Sequence, residues 1–256
     1  MNISLAAEPI FHIGTFPFTN TLLMAWVVMA VIFLMVLVIR KKFSVVPRGL
    51  QNLLETLFEQ ALKIMDSITA SRALSYKFFP VVMTIFLFVL LSNLIEVVPG
   101  LGTIGIWEVH HGKTILIPFI RSSSADLNVT LAIAIVSVLA TQIMGIAVLG
   151  GIQYAGKFFT PPWKKPYLIG TFVGILELVA EIAKIISFSF RLFGNIFAGE
   201  VLLTVALFLV PYILPLPFLL LELFVGLVQA TVFSMLTIVF MKMATMGHEG
   251  HEEHAH

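Results

Sequence analysis

The chain has 256 residues, of which 59% are hydrophobic and only 11% are charged, and its formal net charge is +1. Soluble domains carry about a quarter charged residues, so this composition excludes a soluble globular domain and predicts a membrane protein. No basic tract is dense enough to predict nucleic acid as a partner, and the absence of cysteine excludes disulfides and thiolate metal sites.

Each long apolar run approaches or exceeds the roughly 20 residues that a helix needs to cross a bilayer. Together the runs predict an all-α polytopic fold with about five crossings, whereas a β-barrel would show short segments of alternating polarity. The first crossing is predicted from Thr21 to Ile39, before Arg40. No basic region precedes it in residues 1–20, so it is predicted to be a retained span rather than a cleaved signal peptide.

An amphipathic helix is predicted over residues 48–72. Its apolar residues, from Leu50 to Ile68, recur at helical spacing, while polar residues such as Glu55 and Asp66 fall elsewhere. Because spans flank this helix, we expect it to lie on the membrane surface. A soluble-facing linker helix would show the same pattern and remains the alternative.

The second crossing is predicted at residues 78–98 and the third at residues 126–154, with a polar, glycine-containing loop between them. Asp126 fits a helix N-cap as well as a polar group in an ion path. His110 and His111, in the loop, are interpreted as loop residues rather than metal ligands.

The fourth apolar run, from Leu168 to Leu209, is too long for a single perpendicular crossing. As a helix its roughly 42 residues would measure about 63 Å, against a hydrocarbon core of about 30 Å. We expect it to tilt steeply, bend or break into a hairpin. The last crossing is predicted from Phe218 to Met243, and residues 247–256 form a histidine-rich tail, predicted to be flexible rather than metal-binding.

Basic residues predict the orientation of the chain, because positively charged loops stay in the cytoplasm. Five crossings then place the N-terminus outside and the C-terminus in the cytoplasm, and Lys242 at the end of the last span agrees. The basic residues that define the cytoplasmic side are Arg40, Lys41, Lys42, Arg48, Lys164 and Lys165.

Ionisable residues inside membrane spans are costly and usually functional. The fourth run contains five: Glu177, Glu181, Lys184, Arg191 and Glu200. Glu181 and Lys184 can pair one helical turn apart, but no carboxylate lies one turn from Arg191. Since a guanidinium stays protonated in proteins, the counter-charge of Arg191 must come from water, another helix or another chain.

The last span adds Glu222 and Gln229, one heptad apart on the same face. Under the predicted topology Glu222 and Glu200 lie on the outer side of Arg191, as do Glu96 and Asp126. The residues that lie on its cytoplasmic side are Glu177, Glu181 and Lys184. Two polar clusters with a fixed cation between them indicate two aqueous half-paths that do not meet.

The motifs around these residues resemble subunit a of the F-type ATP synthase. They are RLFGNIFAGE with the upstream glutamate and lysine, the downstream VQATVFSMLTIVF, and the earlier LLSNLIEVVPG and SSSADLNVTLAIAI. Their order matches over nearly the whole length. The resemblance implies a stator subunit beside a ring of c subunits, with peripheral-stalk b subunits and the rest of the complex as further partners. It implies no cofactor, no metal and no active site of its own.

The resemblance also implies roles for individual residues. Arg191 corresponds to the arginine that faces the ring carboxylate and keeps the half-channels apart, and the last two segments, residues 168–243, correspond to a tilted helix hairpin. Many members carry histidine where this chain has Glu222, so Glu200 and Glu222 are expected to share a proton. The residues implied for the outer half-channel or beside the arginine are Asn93, Glu96, Asn195, Glu200, Glu222 and Gln229, and those for the cytoplasmic side are Glu177 and Lys184.

Alternatives to this function remain open. An autonomous secondary transporter is the first, although such folds often carry duplicated halves and none is evident here. Glu177 and Lys184 are equally compatible with snorkelling to the inner surface, and Glu96 with a helix end. The bare N-terminus favours a bacterial inner membrane, and protons are the default coupling ion.

Overall fold

The structure is a computed structural model, and it describes residues 8–13, 16–41, 47, 49–98, 104–110, 113–119, 121–158, 169–210 and 213–246. Its helices are α1 (Asn20–Lys41), α2 (Leu50–Thr69), α3 (Arg72–Glu96), α4 (Leu127–Leu149), α5 (Gly151–Phe158), α6 (Ile169–Leu209) and α7 (Pro215–Thr245). Within the described ranges five helices, α1, α3, α4, α6 and α7, are long and apolar enough to cross a membrane. The chain is therefore an all-α multi-pass membrane protein, as its composition predicts.

Two β-hairpins were not predicted. Strands β1 (Pro9–Ile13) and β2 (Phe16–Thr19) pair antiparallel before α1, as do β3 (Gly105–His110) and β4 (Lys113–Pro118) between α3 and α4. The polar, glycine-containing loop predicted between the second and third crossings therefore includes a hairpin that the sequence analysis did not predict. Strands of four to six residues are held by backbone hydrogen bonds, and a segment so short offers little side-chain periodicity to read.

The third crossing ends earlier than predicted. Helix α4 stops at Leu149 because Gly150 has a φ of +87°, which favours glycine and breaks the helix. The expected continuation to Tyr154 was therefore wrong: Tyr154 belongs to the separate short helix α5. It folds back so closely that a Cβ on Gly145 would overlap the Tyr154 ring.

Helix α6 is one unbroken helix of 41 residues. This removes the option of a hairpin within the fourth run. At 1.5 Å per residue α6 is about 60 Å long, twice the thickness of the hydrocarbon core. It must therefore tilt steeply or curve through the membrane.

Helix α2 confirms the predicted amphipathic helix, and part of its apolar face packs on protein. Leu54 and Met65 are buried, and Met65 packs against Phe78 of α3 and Met241 of α7. At the C-terminal end of α2, Lys242 donates a hydrogen bond to the carbonyl oxygen of Ile68 at 2.7 Å, where the helix dipole favours a cation. The end of α7 thus lies beside the end of α2; the placement of α2 on the membrane surface stays a prediction.

At the opposite end of the molecule the starts of α1 and α4 meet. Asp126 accepts hydrogen bonds from the backbone N–H of Asn128 and from the Thr21 hydroxyl, each at 2.9 Å. The N-cap interpretation of Asp126 is thereby confirmed. The end of α3 joins this group, because Ser123, in a short 3-10 helix before α4, hydrogen-bonds Ser92 at 2.9 Å.

The core fixes which side of α6 faces outward. Phe188 and Leu192 of α6 are buried in one cluster with Val89 of α3, Ala134 of α4 and Phe233 of α7. The rings of Phe188 and Phe233 are tilted against each other with centroids 4.7 Å apart. Buried positions recur every four residues on this face, and the residue directly before each of them is exposed.

Candidate functional site

Arg191 lies on the outward face of α6. Its side chain is exposed, and its Nη2 atom donates a hydrogen bond to the Ser187 hydroxyl at 3.4 Å. Among the described residues no carboxylate forms an ion pair with it. The permanent positive charge of Arg191, in the middle of an apolar span, is thus accessible to a group of another molecule.

A stripe of small side chains follows α6 on both sides of Arg191. They are Ala183, Ser187, Gly194 and Ala198, and all four are exposed. A Cβ placed on Gly194 would meet nothing within 4 Å, so packing inside this chain does not explain the glycine. Small residues on a membrane helix allow a neighbouring helix to approach closely.

Next to the arginine, α6 and α7 are joined by an amide pair that is partly buried. Asn195, one turn after Arg191, donates from Nδ2 to Oε1 of Gln229 at 2.7 Å. Gln229 is only 4% exposed, and its Nε2 has no hydrogen-bond partner among the described residues. The amide pair places an orphaned donor close to Arg191.

Glu222 is the most isolated carboxyl group of the described residues. It is 6% exposed, and neither carboxyl oxygen has a hydrogen-bond partner in the described ranges. It packs on α6 at Gly199, where an added Cβ would come within 2.6 Å of Oε1. The lack of a side chain at Gly199 therefore makes the space that the Glu222 carboxyl occupies.

Asn93 of α3 lies between Glu222 and Gln229. Its Nδ2 donates to the Gly226 carbonyl at 3.3 Å, while its buried Oδ1 has no partner in the described part of the chain. Glu222, Asn93 and Gln229 thus each contribute a buried polar atom that has no hydrogen-bond partner among the described residues. Buried polar atoms are normally satisfied by protein groups or by bound water.

Glu200 is paired with Arg121, which was not predicted as a site residue. Nη2 of Arg121 lies 2.9 Å from Oε2 of Glu200, and the Arg121 side chain is only 7% exposed. The expected sharing of a proton is not seen as a direct hydrogen bond, since both oxygens of Glu222 lack partners among the described residues. We call Glu200, Glu222, Arg121 and Asn93 the Glu222 cluster.

A second polar group, which we call the Lys184 cluster, lies at the end of the bundle that holds Lys242. It comprises Glu177, Glu181, Lys184 and Tyr154. Lys184 pairs with Glu181 at 2.6 Å, which confirms the predicted ion pair, and its Nζ lies 4.7 Å from the centroid of the Phe240 ring.

Tyr154 was not predicted as part of any site. Its hydroxyl donates to Oε1 of Gln142. Burial, followed by the nearby charges of Glu181 and Glu177, raises the pKa of Tyr154 to about 12. The phenol therefore stays neutral and can donate a hydrogen bond beside two carboxylates. Its position on α5 could not be read from the sequence, because α5 was expected to continue the third span.

Some predicted residues lie outside the described part. Glu96 is the last residue of α3, but its side chain is not described. The same holds for the tail at 247–256 and for the predicted basic residues Lys42, Arg48, Lys164 and Lys165.

Comparison with known proteins gives one consistent match. Residues 22–242 match the family described as ATP synthase A chain. A protein from Moorella thermoacetica named ATP synthase subunit a is 31% identical over 239 residues, or 93% of this chain and 96% of that one. Proteins of the same name from Campylobacter jejuni strain 81-176 and Helicobacter pylori strain Shi470 are 34% and 33% identical; the alignments cover 82% and 86% of this chain and 83% and 86% of theirs.

Proposed function

This chain belongs to the ATP synthase subunit a family, and from that premise we propose that it is the proton-conducting stator subunit of a rotary ATP synthase. Its partners are then the ring of c subunits, the peripheral-stalk b subunits and the rest of the complex. Proton flow through the chain would turn the ring and so drive ATP synthesis.

The observation that carries the proposal is the exposed Arg191, which forms no ion pair within the described part of the chain. A membrane span does not keep a lone guanidinium on an apolar surface without a counter-charge, and the described residues offer none. The small residues beside it let a ring helix come close enough for a carboxylate to pair with it. An ion pair with a moving partner is what a rotary stator needs, because each carboxylate must arrive, pair and leave.

The two polar clusters support two half-paths on either side of Arg191. The Glu222 cluster continues through Asn93 and Gln229 towards Arg191, with unpartnered polar atoms along the way. The Lys184 cluster lies two helical turns before Arg191 on the same helix, towards the opposite end of the bundle. Protons would enter through one cluster, be carried on the carboxyl groups of the rotating ring, and leave through the other cluster.

Orientation follows from the basic residues at the two ends. Arg40 and Lys41 end α1, and Lys242 ends α7 beside α2. The rule that positive charge stays inside favours this end as the cytoplasmic one. We therefore propose a bacterial inner membrane location with the N-terminus outside and the C-terminus in the cytoplasm.

A cross-linking experiment tests the ring contact. The chain has no cysteine, so Ser187→Cys introduces its single thiol one turn from Arg191 with almost no change in size. After labelling with a photoreactive maleimide in membranes that contain the whole complex, we expect a covalent adduct with the ring subunit. The matched control is Ile143→Cys on α4, which is 63% exposed and should give no ring adduct.

The same experiment separates the proposal from its alternative. An autonomous transporter would give no adduct with a small ring protein at either position and would be purified without the complex. That pair of results would overturn the stator function.

Gly199→Ala is expected to lower proton flow without unfolding the chain. The new methyl group would overlap Oε1 of Glu222, so the carboxyl group must move out of its place in the cluster. We expect proton-driven ATP synthesis to fall by about tenfold, the effect of roughly 1.4 kcal/mol on a barrier, with normal amounts of assembled complex. The rate of proton-driven ATP synthesis is measured in inverted membrane vesicles. The control is Gly156→Ala, because a Cβ at that position meets nothing within 4 Å.

A further inference from the structure

The ion pair between Arg121 and Glu200 joins distant parts of the chain. Arg121 precedes α4, and Glu200 lies 79 residues later in α6. Both Nε and Nη2 of the guanidinium donate to the same carboxyl oxygen, at 3.3 and 2.9 Å. The arginine side chain is almost fully buried, whereas that of Glu200 is 26% exposed.

The segment that carries Arg121 is fixed rather than loose. The three serines that follow it are all buried. Ser123 hydrogen-bonds the Ser92 hydroxyl at 2.9 Å, and the Ser122 hydroxyl donates to the Ser92 carbonyl at 3.4 Å. The 3-10 helix formed by residues 123–125 also contacts α6. The guanidinium is therefore held against Glu200 by its own backbone, and it does not have to be recruited from solvent.

The other carboxyl group of the cluster has no such partner. Glu222 is more deeply buried than Glu200, and in the described part of the chain nothing hydrogen-bonds to it. It packs on Gly199, the residue directly before Glu200, so the two carboxyl groups belong to one site. Among the described residues this site thus holds the carboxyl groups of Glu200 and Glu222 and the buried guanidinium of Arg121.

We propose that Arg121 is a positioning residue that holds Glu200 as a permanent anion, so that Glu222 alone takes up and releases the proton in this cluster. The inference rests on the proposed function. A guanidinium stays protonated, so its charge at 2.9 Å stabilises the ionised form of Glu200 throughout. Glu222 has no hydrogen-bonded cation among the described residues, which leaves it as the group that exchanges its proton.

This division of roles differs from one in which the two carboxyl groups share a proton. In the shared arrangement Glu200 must accept a proton in turn, and a fixed guanidinium would oppose that step. In the proposed arrangement Glu200 and Arg121 neutralise each other, and removing both charges leaves the proton carrier in place. The two arrangements therefore predict opposite results for the double variant.

A double-mutant cycle tests the proposal. Arg121→Gln, Glu200→Gln and the combined variant are compared in the whole complex, and proton flux through the membrane sector is measured per assembled complex. Each single change removes one charge of this ion pair and keeps the other next to Glu222, so we expect flux to fall by about tenfold or more. The combined variant is expected to recover to within about threefold of the unmodified protein, because both charges of the pair are removed together.

Arg121→Lys supplies the conservative variant for the case in which Arg121→Gln assembles poorly. Lysine keeps the charge, and we expect its flux per complex to exceed that of Arg121→Gln several-fold. A combined variant no better than Arg121→Gln, or an Arg121→Gln variant with normal flux, would overturn the assignment.

Glu222→Gln, measured in parallel, distinguishes a failure of the role proposed for Arg121 from a failure of the proposed proton path. It should block flux in every background of the cycle. If it blocks flux while the cycle fails, only the role of Arg121 is wrong. If Glu222→Gln itself conducts normally, the proton path of the proposed function is wrong.

Discussion

Replacing Arg191 with alanine is expected to abolish both ATP synthesis and ATP-driven proton pumping, and to leave the membrane leaky to protons through the complex. In the proposed mechanism the guanidinium stands between the two clusters, and without it a ring carboxyl group at this place can take up a proton from one half-path and release it to the other. Protons can then pass from one half-path to the other without rotation. We expect synthesis to fall by at least about a hundredfold, since a fixed charge of this kind contributes several kcal/mol in a low-dielectric site.

Arg191→Lys is expected to fail as well, though it keeps the charge. Lysine has a compact, strongly hydrated charge in place of a planar fork that presents five donors. It also loses its proton more readily when buried. ATP synthesis and passive proton flux are measured in inverted membrane vesicles. ATP synthesis by the lysine or alanine variant without a proton leak would contradict the role of Arg191.

The control for this prediction is a second exposed arginine. Arg72 begins α3 and pairs with Asp66 at the C-terminal end of α2. Exposed pairs of this kind contribute little to stability, so Arg72→Ala should assemble and synthesise ATP at near-normal rates. Because the Arg191 guanidinium hydrogen-bonds only Ser187 within the described residues, Arg191→Ala should also assemble normally, which separates loss of function from loss of structure.

The sequence predicts those features that a single stretch of chain determines. The fourth run was bounded to within one residue, because its apolar composition ends abruptly at both sides. The pairing of Glu181 with Lys184 also follows from spacing along one helix. The isolation of Arg191 from carboxylates on α6 could be read in the same way, since no such residue lies one turn from it.

The Glu222 cluster could not be predicted in full, because its contacts join segments far apart in sequence. Asn93 reaches the Gly226 carbonyl across 133 residues, and Arg121 reaches Glu200 across 79. Arg121 lies before a span rather than inside one, so it is not among the charged residues that interrupt an apolar run. The sequence does not indicate a role for Gly199 either, because this glycine leaves space for the Glu222 side chain of another helix.

Glu222→Gln is expected to stop proton flow through the outer half-path while the complex still assembles. Glutamine keeps the size and the hydrogen-bonding capacity of glutamic acid, but it cannot release a proton. We expect ATP synthesis to fall by about a hundredfold, in the upper range for losing a positioned acid–base group. Unlike the alanine variant at Arg191, this variant should leave the membrane tight to protons, because the path is blocked rather than short-circuited.

Two further variants define what the Glu222 carboxyl group does. Glu222→Asp keeps the acid but shortens the side chain by one methylene, which withdraws it from the Gly199 surface; partial flux is expected because proton transfer depends steeply on distance. Glu59→Gln, an identical change at an exposed position on α2, is the control and should leave synthesis unchanged. If glutamine at 222 conducted as well as aspartate, the carboxyl proton would not be the one that moves, and the unpartnered oxygens of Glu222 would need a purely structural explanation.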